Sequence, residues 1–429
     1  MASQLNTESA GPIEGLRVIE VGDLAEVAGK LLADAGADVI RVEPRQGARS
    51  RHIGPYVNDR PDTNHSLRFA SANTSKRSVT LDFEREESVS IWSALVARTE
   101  VVLDGTGSST LDDAGIGADH FRTLQPGLIW CSITPFGLNG PWQDWASSDL
   151  VQLALGGPMM STGYDDHSLP PIRSDGEHSI AMSNEYALTA LLAALWLRDD
   201  NYEDGDHPIG QLIDVSIHEA VSATTEGSFP NWEFLGQRVI RQTGRHAAAE
   251  RNSPWQYKCT DGDYILLMGG GIPRDAKIFE GLLRWMDEYD LAGDLHDPKY
   301  LEVLYTDPNR DVEIRNHVAD TIGSFVQSLT AEEVYRRGQA LHLPWGIVRR
   351  PEQNLDDPHW EDRDFFWRGE LPGHEESVRY PGAPYRFSNS PVRMRRRPPL
   401  LGEHNHEVYI DELGMAIADL RQYSETEVI

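Results

Sequence analysis

The chain has few cysteines, no long apolar run and little positive charge. Its 429 residues include only Cys131 and Cys259, too few for a disulfide framework or a structural zinc site. No run of eighteen apolar residues occurs, so we expect no membrane-spanning helix. The amino-terminal residues are polar and are not typical of a secretory signal. We therefore expect a cytoplasmic protein without a metal site.

Positive charge is scarce, because 39 lysines and arginines stand against 68 aspartates and glutamates, for a formal charge of −29. Nucleic acid and anionic membranes repel such a chain, so we expect neither as a partner. An anionic substrate would need a local basic patch. One candidate patch consists of Arg41, Arg45, Arg49, Arg51, Lys76 and Arg77. The alternative interpretation of this patch is a scatter of solvated charges.

A strand–helix–strand pattern opens the chain. Residues 16–21 form a short β-branched run, as in a buried parallel strand. Residues 25–35 are rich in alanine and leucine and precede Gly36, which suits a left-handed helix cap. Residues 39–42 form the next strand. The turn at 22–26 lacks the Gly-x-Gly-x-x-Gly pattern and carries two carboxylates, which disfavours a standard dinucleotide site.

The alternation of strands and helices extends over residues 15–225. Predicted strands lie at 77–83, 100–103, 128–133 and 209–217, and predicted helices at 86–98 and 182–198. This alternation predicts an α/β fold with a mostly parallel sheet. From residue 256 a hairpin follows, and then amphipathic helices near 275–287, 311–328 and 331–340. The predicted division is a large α/β domain at 1–225 and 391–429, linkers at 226–255 and 341–390, and a small domain at 256–340.

Several separate motifs resemble one family. They are the opening strand–helix–strand unit, Lys76-Arg-Ser-Val-Thr-Leu-Asp82, Pro126-Gly-Leu-Ile-Trp-Cys-Ser-Ile133, Phe136-Gly-Leu-Asn-Gly-Pro141, Gly210-Gln-Leu-Ile-Asp-Val-Ser216, Asp261-Gly-Asp-Tyr264 and Pro398-Pro-Leu-Leu-Gly-Glu-His404. In this order they resemble the family III CoA-transferases, the group of formyl-CoA transferase, carnitine CoA-transferase and α-methylacyl-CoA racemase. The resemblance covers about residues 13–415. It implies an interlocked-dimer fold with a large Rossmann-like parallel-sheet domain and an inserted small α+β domain.

The resemblance also implies a reaction. In the family, an aspartate near the start of the long alanine- and leucine-rich helix accepts the acyl group as a mixed anhydride and then holds CoA as a thioester. The substrates are an acyl-CoA and a small carboxylic acid, and no cofactor is bound permanently. The expected partner is a second copy in an interlocked homodimer, or a homologous subunit in a heterodimer.

The expected aspartate is missing from this chain. It should lie at position 179 or 180, where the sequence has Ser179 and Ile180. The nearest carboxylates are Asp175, Glu177 and Glu185, and these are the candidate nucleophiles. The alternative for each is an ordinary solvated or capping carboxylate.

The resemblance implies a CoA contact at the end of the second strand. Arg41 and Arg45 would lie there, beside Asn73, Lys76 and Arg77, where cationic groups suit the 3′-phosphate. Salt bridges to nearby acids are the alternative for these cations. The family's loop beside CoA is replaced here by residues 104–109.

Three functions remain open from the sequence. The first is a CoA-transferase with a relocated carboxylate nucleophile. The second is a non-catalytic subunit of a heteromeric family III CoA-transferase, which the missing aspartate fits. The third is a lyase or another CoA-ester enzyme on the same fold.

Overall fold

The computed structural model describes residues 10–107, 110–203, 209–225, 227–273, 275–303 and 312–429. The chain divides into two compact units. The large unit comprises Met1–Gly156, Ser174–Thr224 and Pro358–Ile429, and the small unit comprises Gly157–Arg173 and Thr225–Asp357.

The strands and helices have the following bounds. The strands are β1 Arg17–Val21, β2 Asp38–Glu43, β3 Arg77–Thr80, β4 Val101–Asp104, β5 Ile129–Thr134, β6 Leu212–Ser216, β7 Ile240–Gln242, β8 Arg245–Ala248, β9 Gln256–Lys258, β10 Tyr264–Leu267, β11 Trp345–Ile347, β12 Phe366–Gly369 and β13 Val378–Pro381. The helices are α1 Glu26–Asp34, α2 Leu67–Ala72, α3 Ser88–Val96, α4 Thr110–Asp113, α5 Ala118–Leu124, α6 Asp149–Leu155, α7 His178–Glu203, α8 Ile217–Ala223, α9 Ser228–Leu235, α10 Ala276–Asp287, α11 Lys299–Val303, α12 Val312–Gln327, α13 Ala331–Ala340, α14 Pro358–Asp362 and α15 Ile417–Glu425.

The large unit is built on a six-stranded sheet with the order β3-β2-β1-β4-β5-β6. All of its strand pairs are parallel, which confirms the predicted α/β class. The order reverses between β1 and β4, and open sheets of this type bind their ligands at the carboxyl ends of the strands beside such a reversal. Gly36 ends α1 with a φ of 117°, as expected for a left-handed cap.

The closing segment of the chain completes the edge of this sheet. His404 donates its backbone N–H to the carbonyl of Ser78 at 2.9 Å, and Ser78 donates its own to Nδ1 of His404 at 3.1 Å. The buried hydroxyl of Tyr409 donates to the carbonyl of Thr80 at 2.8 Å. The edge strand β3 is therefore held by residues far away in the sequence.

The small unit contains the predicted hairpin and amphipathic helices. Strand β10 pairs antiparallel with β9 and β11. The hydrophobic core of the small unit includes Phe279, Trp285, Phe325 and Trp345. Residues 226–255 were expected to hold little regular structure. The structure instead places α9 and the hairpin β7–β8 there, because short strands with little periodicity are hard to recognise. Residue 311 of the helix predicted at 311–328 lies outside the described residues.

Helix α7 is apolar enough, over His178–Asp200, to cross a membrane by length and composition alone. The buried core helix of a globular domain passes the same test. Ala187, Leu191 and Ala194 of α7 are buried, and the helix contacts β5, β6, α1 and α8. These contacts are those of a core helix packed on a sheet.

Candidate active site

The carboxyl ends of β1 and β4 meet at a pair of glycines. Gly22 follows β1 with a φ of 78°, and a Cβ there would lie 2.3 Å from the backbone of Gly105, which follows β4. The backbone N–H of Leu24 donates to the carbonyl of Gly105 at 3.1 Å. The two turns therefore pack directly against each other at the point where the strand order reverses. Ligands of such sheets bind at this point, so we take it as the candidate site.

A network of charged side chains lies beneath this turn. We call it the buried charge network, and its members are Glu20, Asp23, Glu26, Arg41, Glu43, Arg51, Asn73 and Lys76. Arg41 is fully buried and contacts Glu20, Glu26 at 2.8 Å and Asp23 at 2.6 Å. The turn carboxylates Asp23 and Glu26 are thus neutralised from within and do not present the bare negative charge that the sequence predicted.

Lys76 and Arg51 complete the network. The Nζ of Lys76 donates to Glu20 at 3.0 Å and to Oδ1 of Asn73 at 2.9 Å. Arg51 donates to both carboxylate oxygens of Glu43, at 2.6 and 2.8 Å. Arg41, Arg51 and Lys76 are therefore committed to internal carboxylates, so the candidate basic patch is largely an interior feature.

The pKa values reflect this balance of burial and pairing. Burial lowers the pKa of Lys76, although the charge of Glu20 opposes the shift. Burial would raise the pKa of Glu43, but the hydrogen bonds and charge of Arg51 outweigh it and lower that pKa. For Arg41, burial is outweighed by Glu26 and Glu20, which raise its pKa. Both Arg41 and Glu43 therefore stay charged inside the protein.

Arg45 and Arg77 lie at opposite ends of the parallel strands. Arg45 follows the carboxyl end of β2, is exposed, and lies 3.4 Å from Glu427. Arg77 is the first residue of β3, at the amino ends of the strands, where it contacts Asp38 at 2.6 Å and Glu407 at 2.9 Å. The structure brings Arg41, Asn73 and Lys76 together, with Arg45 just beyond them, but it keeps Arg77 apart from this group.

Glu177 lies at the start of α7 and is linked to the network. Its carbonyl accepts the first hydrogen bond of the helix, from the N–H of Ala181 at 3.1 Å. Its carboxylate accepts from Nε of Arg68 at 2.7 Å, and Nη1 of the same arginine lies 3.2 Å from Glu26. Arg68 therefore bridges Glu177 to the buried charge network.

Asp175 and Glu185 are exposed and more isolated. Within the part of the chain that the structure describes, neither carboxylate has a hydrogen bond or an ion pair. Asp175 lies in the turn before α7. Glu185 lies five residues beyond position 180, about 140° around the helix from it.

Ser179, at the expected aspartate position, and Asn184, one turn further along, anchor helix α7 to neighbouring segments. Ser179 is buried and donates its hydroxyl to Asp149 at 2.8 Å. Asn184 accepts a hydrogen bond from the N–H of Ala28 at 2.8 Å and donates to the carbonyl of Leu24 at 2.7 Å. Asn184 therefore faces α1. It lies one turn after Ile180, while Glu177 lies three residues before Ile180, just outside the helix.

A family model for CoA-transferase family III matches residues 13–405. The chain belongs to this family. Succinyl-CoA:(R)-benzylsuccinate CoA-transferase subunit BbsE from Thauera aromatica is 27% identical to it, over 92% of this chain and 93% of that protein. Formyl-CoA:oxalate CoA-transferase from Streptomyces coelicolor is also 27% identical, over 98% of this chain and 100% of that protein.

Solved structures show the same family fold. A CAIB/BAIF family protein from Brucella suis superposes with a TM-score of 0.76 at 25% identity, over 94% of this chain and 99% of that one. Rv3272 from Mycobacterium tuberculosis has a TM-score of 0.72 at 24% identity, over 92% and 99%. The predicted α/β fold with a large parallel sheet is thereby confirmed as that of family III, and the structure adds small antiparallel sheets.

This family III chain has an acidic cavity at the carboxyl ends of β4 and β5. Its volume is about 670 Å³. It is lined by Gly107, Asp112, Asp113, Ala118, Asp119, Ser132, Thr134, Gly137, Leu138, Gln143, Asp144, Trp145 and Leu212. Burial raises the pKa of Asp112, and Asp119 adds to the shift. Ser108 and Ser109, at the end of the predicted CoA loop, lie outside the described residues.

Sequence reasoning missed three features of this family III site. Arg68 and Asn184 were not singled out, although an asparagine within an apolar helix is a signal that could have been noticed. The acidic cavity was missed because its carboxylates come from separate segments of the chain.

A glycine in α1 allows the helix to lie directly over the network. A Cβ on Gly29 would meet Oε2 of Glu20 at 1.6 Å. Alanine is favoured over glycine in a helix by about 1 kcal/mol, but this clash should reverse the sign. We expect Gly29→Ala to lower the melting temperature by several degrees, measured by circular dichroism.

The matched control is Gly281→Ala in α10. Its Cβ would meet the ends of two flexible side chains, Leu341 at 3.1 Å and Arg284 at 3.8 Å, so little change is expected. A Gly29→Ala protein as stable as the parent would contradict the close packing of α1 on Glu20.

Proposed function

We propose that the chain transfers CoA from an acyl-CoA thioester to a carboxylic acid, with Glu177 as the carboxylate that receives the acyl group. One observation carries the assignment of Glu177. It immediately precedes α7, one turn before position 180, its carbonyl accepts the first hydrogen bond of that helix, and its carboxylate accepts from Nε of Arg68 at 2.7 Å. Neither Asp175 nor Glu185 has a comparable placement.

The proposed reaction needs only carboxylate and thioester chemistry. The Glu177 carboxylate attacks the thioester carbonyl, and the C–S bond breaks to give a mixed anhydride and CoA thiolate. The thiolate then attacks the glutamyl carbonyl, which releases the donor acid and leaves a glutamyl-CoA thioester. The acceptor acid repeats the two steps in reverse and frees Glu177. Arg68 orients this carboxylate at the start of α7 through the hydrogen bond from its Nε.

We propose that the anionic end of CoA contacts Arg45 and its exposed neighbour Arg49. Both lie beyond the carboxyl end of β2. Arg41 is linked to this segment through Asp23, which accepts from Arg41 at 2.6 Å and from the backbone N–H of Ser50 at 3.2 Å. Because Arg77 lies at the amino ends of the strands and Arg45 at the carboxyl ends, we leave Arg77 out of this contact.

Replacing these exposed arginines should weaken CoA binding. We expect Arg45→Ala with Arg49→Ala to raise KM for acyl-CoA about tenfold or more, since each lost charged hydrogen bond costs about 1.5 kcal/mol or more, while kcat changes little. The measurement is steady-state kinetics at fixed ionic strength. Arg421→Ala, on the exposed α15, removes one positive charge far from this segment in sequence and should leave KM unchanged. An unaltered KM in the double variant would place the CoA phosphates elsewhere.

A second candidate is a non-catalytic subunit of a heteromeric CoA-transferase. Ser179 and Ile180 occupy the expected aspartate position, and the cavity beside the predicted CoA loop is lined by carboxylates. One similar relative is itself called a subunit of its enzyme. Leu192 and Trp196 also present an exposed apolar stripe on α7, which supports a covering partner chain, either a second copy or a homologous subunit.

The test is intact-protein mass spectrometry with a panel of acyl-CoA thioesters, followed by hydroxylamine treatment and peptide mapping. We expect an adduct on Glu177 that is absent in Glu177→Gln and present in Glu185→Gln. An adduct on Asp175 or Glu185 would move the nucleophile to that residue. CoA binding without an adduct from any thioester would favour the subunit function.

A further inference from the structure

A second cavity lies in the large unit, between α14 and the chain that follows β13. Its volume is about 900 Å³, and its lining residues all lie between positions 359 and 392. This segment belongs entirely to the large unit. We call it the aromatic cavity, because five aromatic side chains line it, namely Trp360, Phe365, Trp367, Tyr385 and Phe387.

The aromatic rings pack on one another and present flat apolar walls. The rings of Trp360 and Phe365 have centroids 4.7 Å apart, and those of Tyr385 and Phe387 meet edge-on at 5.9 Å. Trp367 belongs to β12, which is paired with β13. A cavity with such walls favours a flat aromatic ligand, because aromatic pairs gain about 0.5–1.5 kcal/mol beyond their buried area.

Two arginines at the aromatic cavity are available to a ligand. Arg363 and Arg386 line it and are exposed. Within the part of the chain that the structure describes, neither guanidinium has an ion pair or a hydrogen bond. Asp364 is the single carboxylate among the lining residues. Guanidinium groups bind carboxylates and phosphates through paired N–H donors, so the cavity favours an anion although the chain as a whole is acidic.

The aromatic cavity is at the opposite end of α1 from the candidate active site. Lys30 lies 5.8 Å from the centre of the Trp367 ring and pairs with Asp34, the last residue of α1. Burial raises the pKa of Tyr385, and the charge of Asp34 adds to the shift. Glu26, a member of the buried charge network, is the first residue of α1. Nine helical residues span about 13 Å, so the two places are distinct.

We propose that the aromatic cavity binds a small molecule in which an aromatic ring carries a carboxylate or a phosphate. The ring would pack on the indole rings of Trp360 and Trp367. The anionic group would accept hydrogen bonds from Arg363 and Arg386. This ligand is separate from the substrates of the CoA transfer proposed above, and the assignment does not depend on that reaction.

The test is isothermal titration calorimetry of the full chain at low ionic strength. The probes are 2-naphthoate and 2-naphthyl phosphate, and their uncharged counterpart is 2-naphthalenemethanol. We expect saturable binding of an anionic probe and at least about tenfold weaker binding of the alcohol, since a hydrogen bond to a charged group contributes about 1.5 kcal/mol or more. The tighter of the two anions identifies the group that the arginines prefer. Added salt should weaken binding.

Variants separate the proposed contacts. Arg363→Met with Arg386→Met should weaken binding of the tighter probe at least about tenfold. Trp360→Leu should weaken it about fivefold, through the lost ring contact. Arg284→Met with Arg421→Met removes the same charge from two exposed helical positions and should leave the affinity within about twofold.

A competition experiment distinguishes the aromatic cavity from the active site. Saturating CoA should leave probe binding unchanged, because CoA is proposed to bind beyond the carboxyl end of β2. Displacement of the probe by CoA would overturn the proposal. The same holds for an absence of saturable binding, equal affinity for the alcohol, or equal losses in the control variant. A changed oligomeric state of Arg363→Met with Arg386→Met, measured by light scattering, would instead assign these arginines to a contact between copies of the chain. If Trp360→Leu fails to fold, the arginine variant decides.

Discussion

Glu177→Gln should abolish CoA transfer while the fold survives. We expect kcat to fall by at least about 10³-fold, because the amide cannot form the anhydride and removal of a covalent nucleophile costs losses of this order or greater. The amide oxygen can still accept from Nε of Arg68, which Glu177 contacts at 2.7 Å in the parent chain. KM for acyl-CoA should therefore change little. The measurement is transfer of CoA between two acids, followed by liquid chromatography.

Glu185→Gln and Asp175→Asn are the matched controls. Each removes one carboxylate near α7, and neither residue has a side-chain contact in the described part of the chain that would be lost. Both variants should keep activity within about twofold of the parent. Loss of transfer in one of the controls, with activity retained in Glu177→Gln, would relocate the nucleophile. If the parent chain transfers CoA only when mixed with a homologous subunit, the subunit function gains the support instead.

Arg41→Met should be the most destabilising single substitution in the buried charge network. It removes the cation that contacts both Glu20 and Glu26, which are fully buried. Only Lys76 on Glu20 and Arg68 on Glu26 are left, so that one negative charge of the network is no longer balanced. Removing one partner from a buried ion pair costs about 3–5 kcal/mol. We expect the free energy of unfolding, measured by urea denaturation, to fall by that amount.

The comparison variant is Arg45→Met, four residues further along. Its partner Glu427 is exposed, and exposed ion pairs contribute about 0–1 kcal/mol. Adding Glu26→Gln to Arg41→Met should recover part of the lost stability, because it removes the excess negative charge while Arg68, the other cation at Glu26, keeps its contact with Glu177. Equal stabilities for Arg41→Met and Arg45→Met would contradict the network.

The sheet and helices could be predicted from the sequence because each is encoded locally. The β-branched runs at 16–21 and 39–42 correspond to β1 and β2, and the alanine- and leucine-rich segment between them corresponds to α1. Helix α7 begins four residues before the prediction of 182–198. Its first turn is set by a distant contact, the hydrogen bond from Ser179 to Asp149.

The charge network could not be predicted, because its pairs join residues that are distant in sequence. Glu20 is inside a strand that reads as apolar, and its partners Arg41 and Lys76 lie 21 and 56 residues away. The sequence therefore predicted an anion-binding patch that includes Arg41 and Lys76, whereas in the structure both side chains pair with buried carboxylates. Asp175, Glu177 and Glu185 were identified from the sequence. The contact of Glu177 with Arg68, which sets it apart from the other two, could not be, because Arg68 is 109 residues away in the sequence.

The hydrogen bonds between Ser78 and His404 have a consequence for biosynthesis. One of them spans 326 positions of the sequence, so the edge strand β3 lacks its final partner until most of the chain has been translated. At about 5–20 residues per second, that interval is roughly 15 to 65 s. During this time an unpaired strand edge is exposed to other nascent chains. Soluble yield in a cell should therefore depend on chaperone protection and translation speed more than on the equilibrium stability of the finished protein.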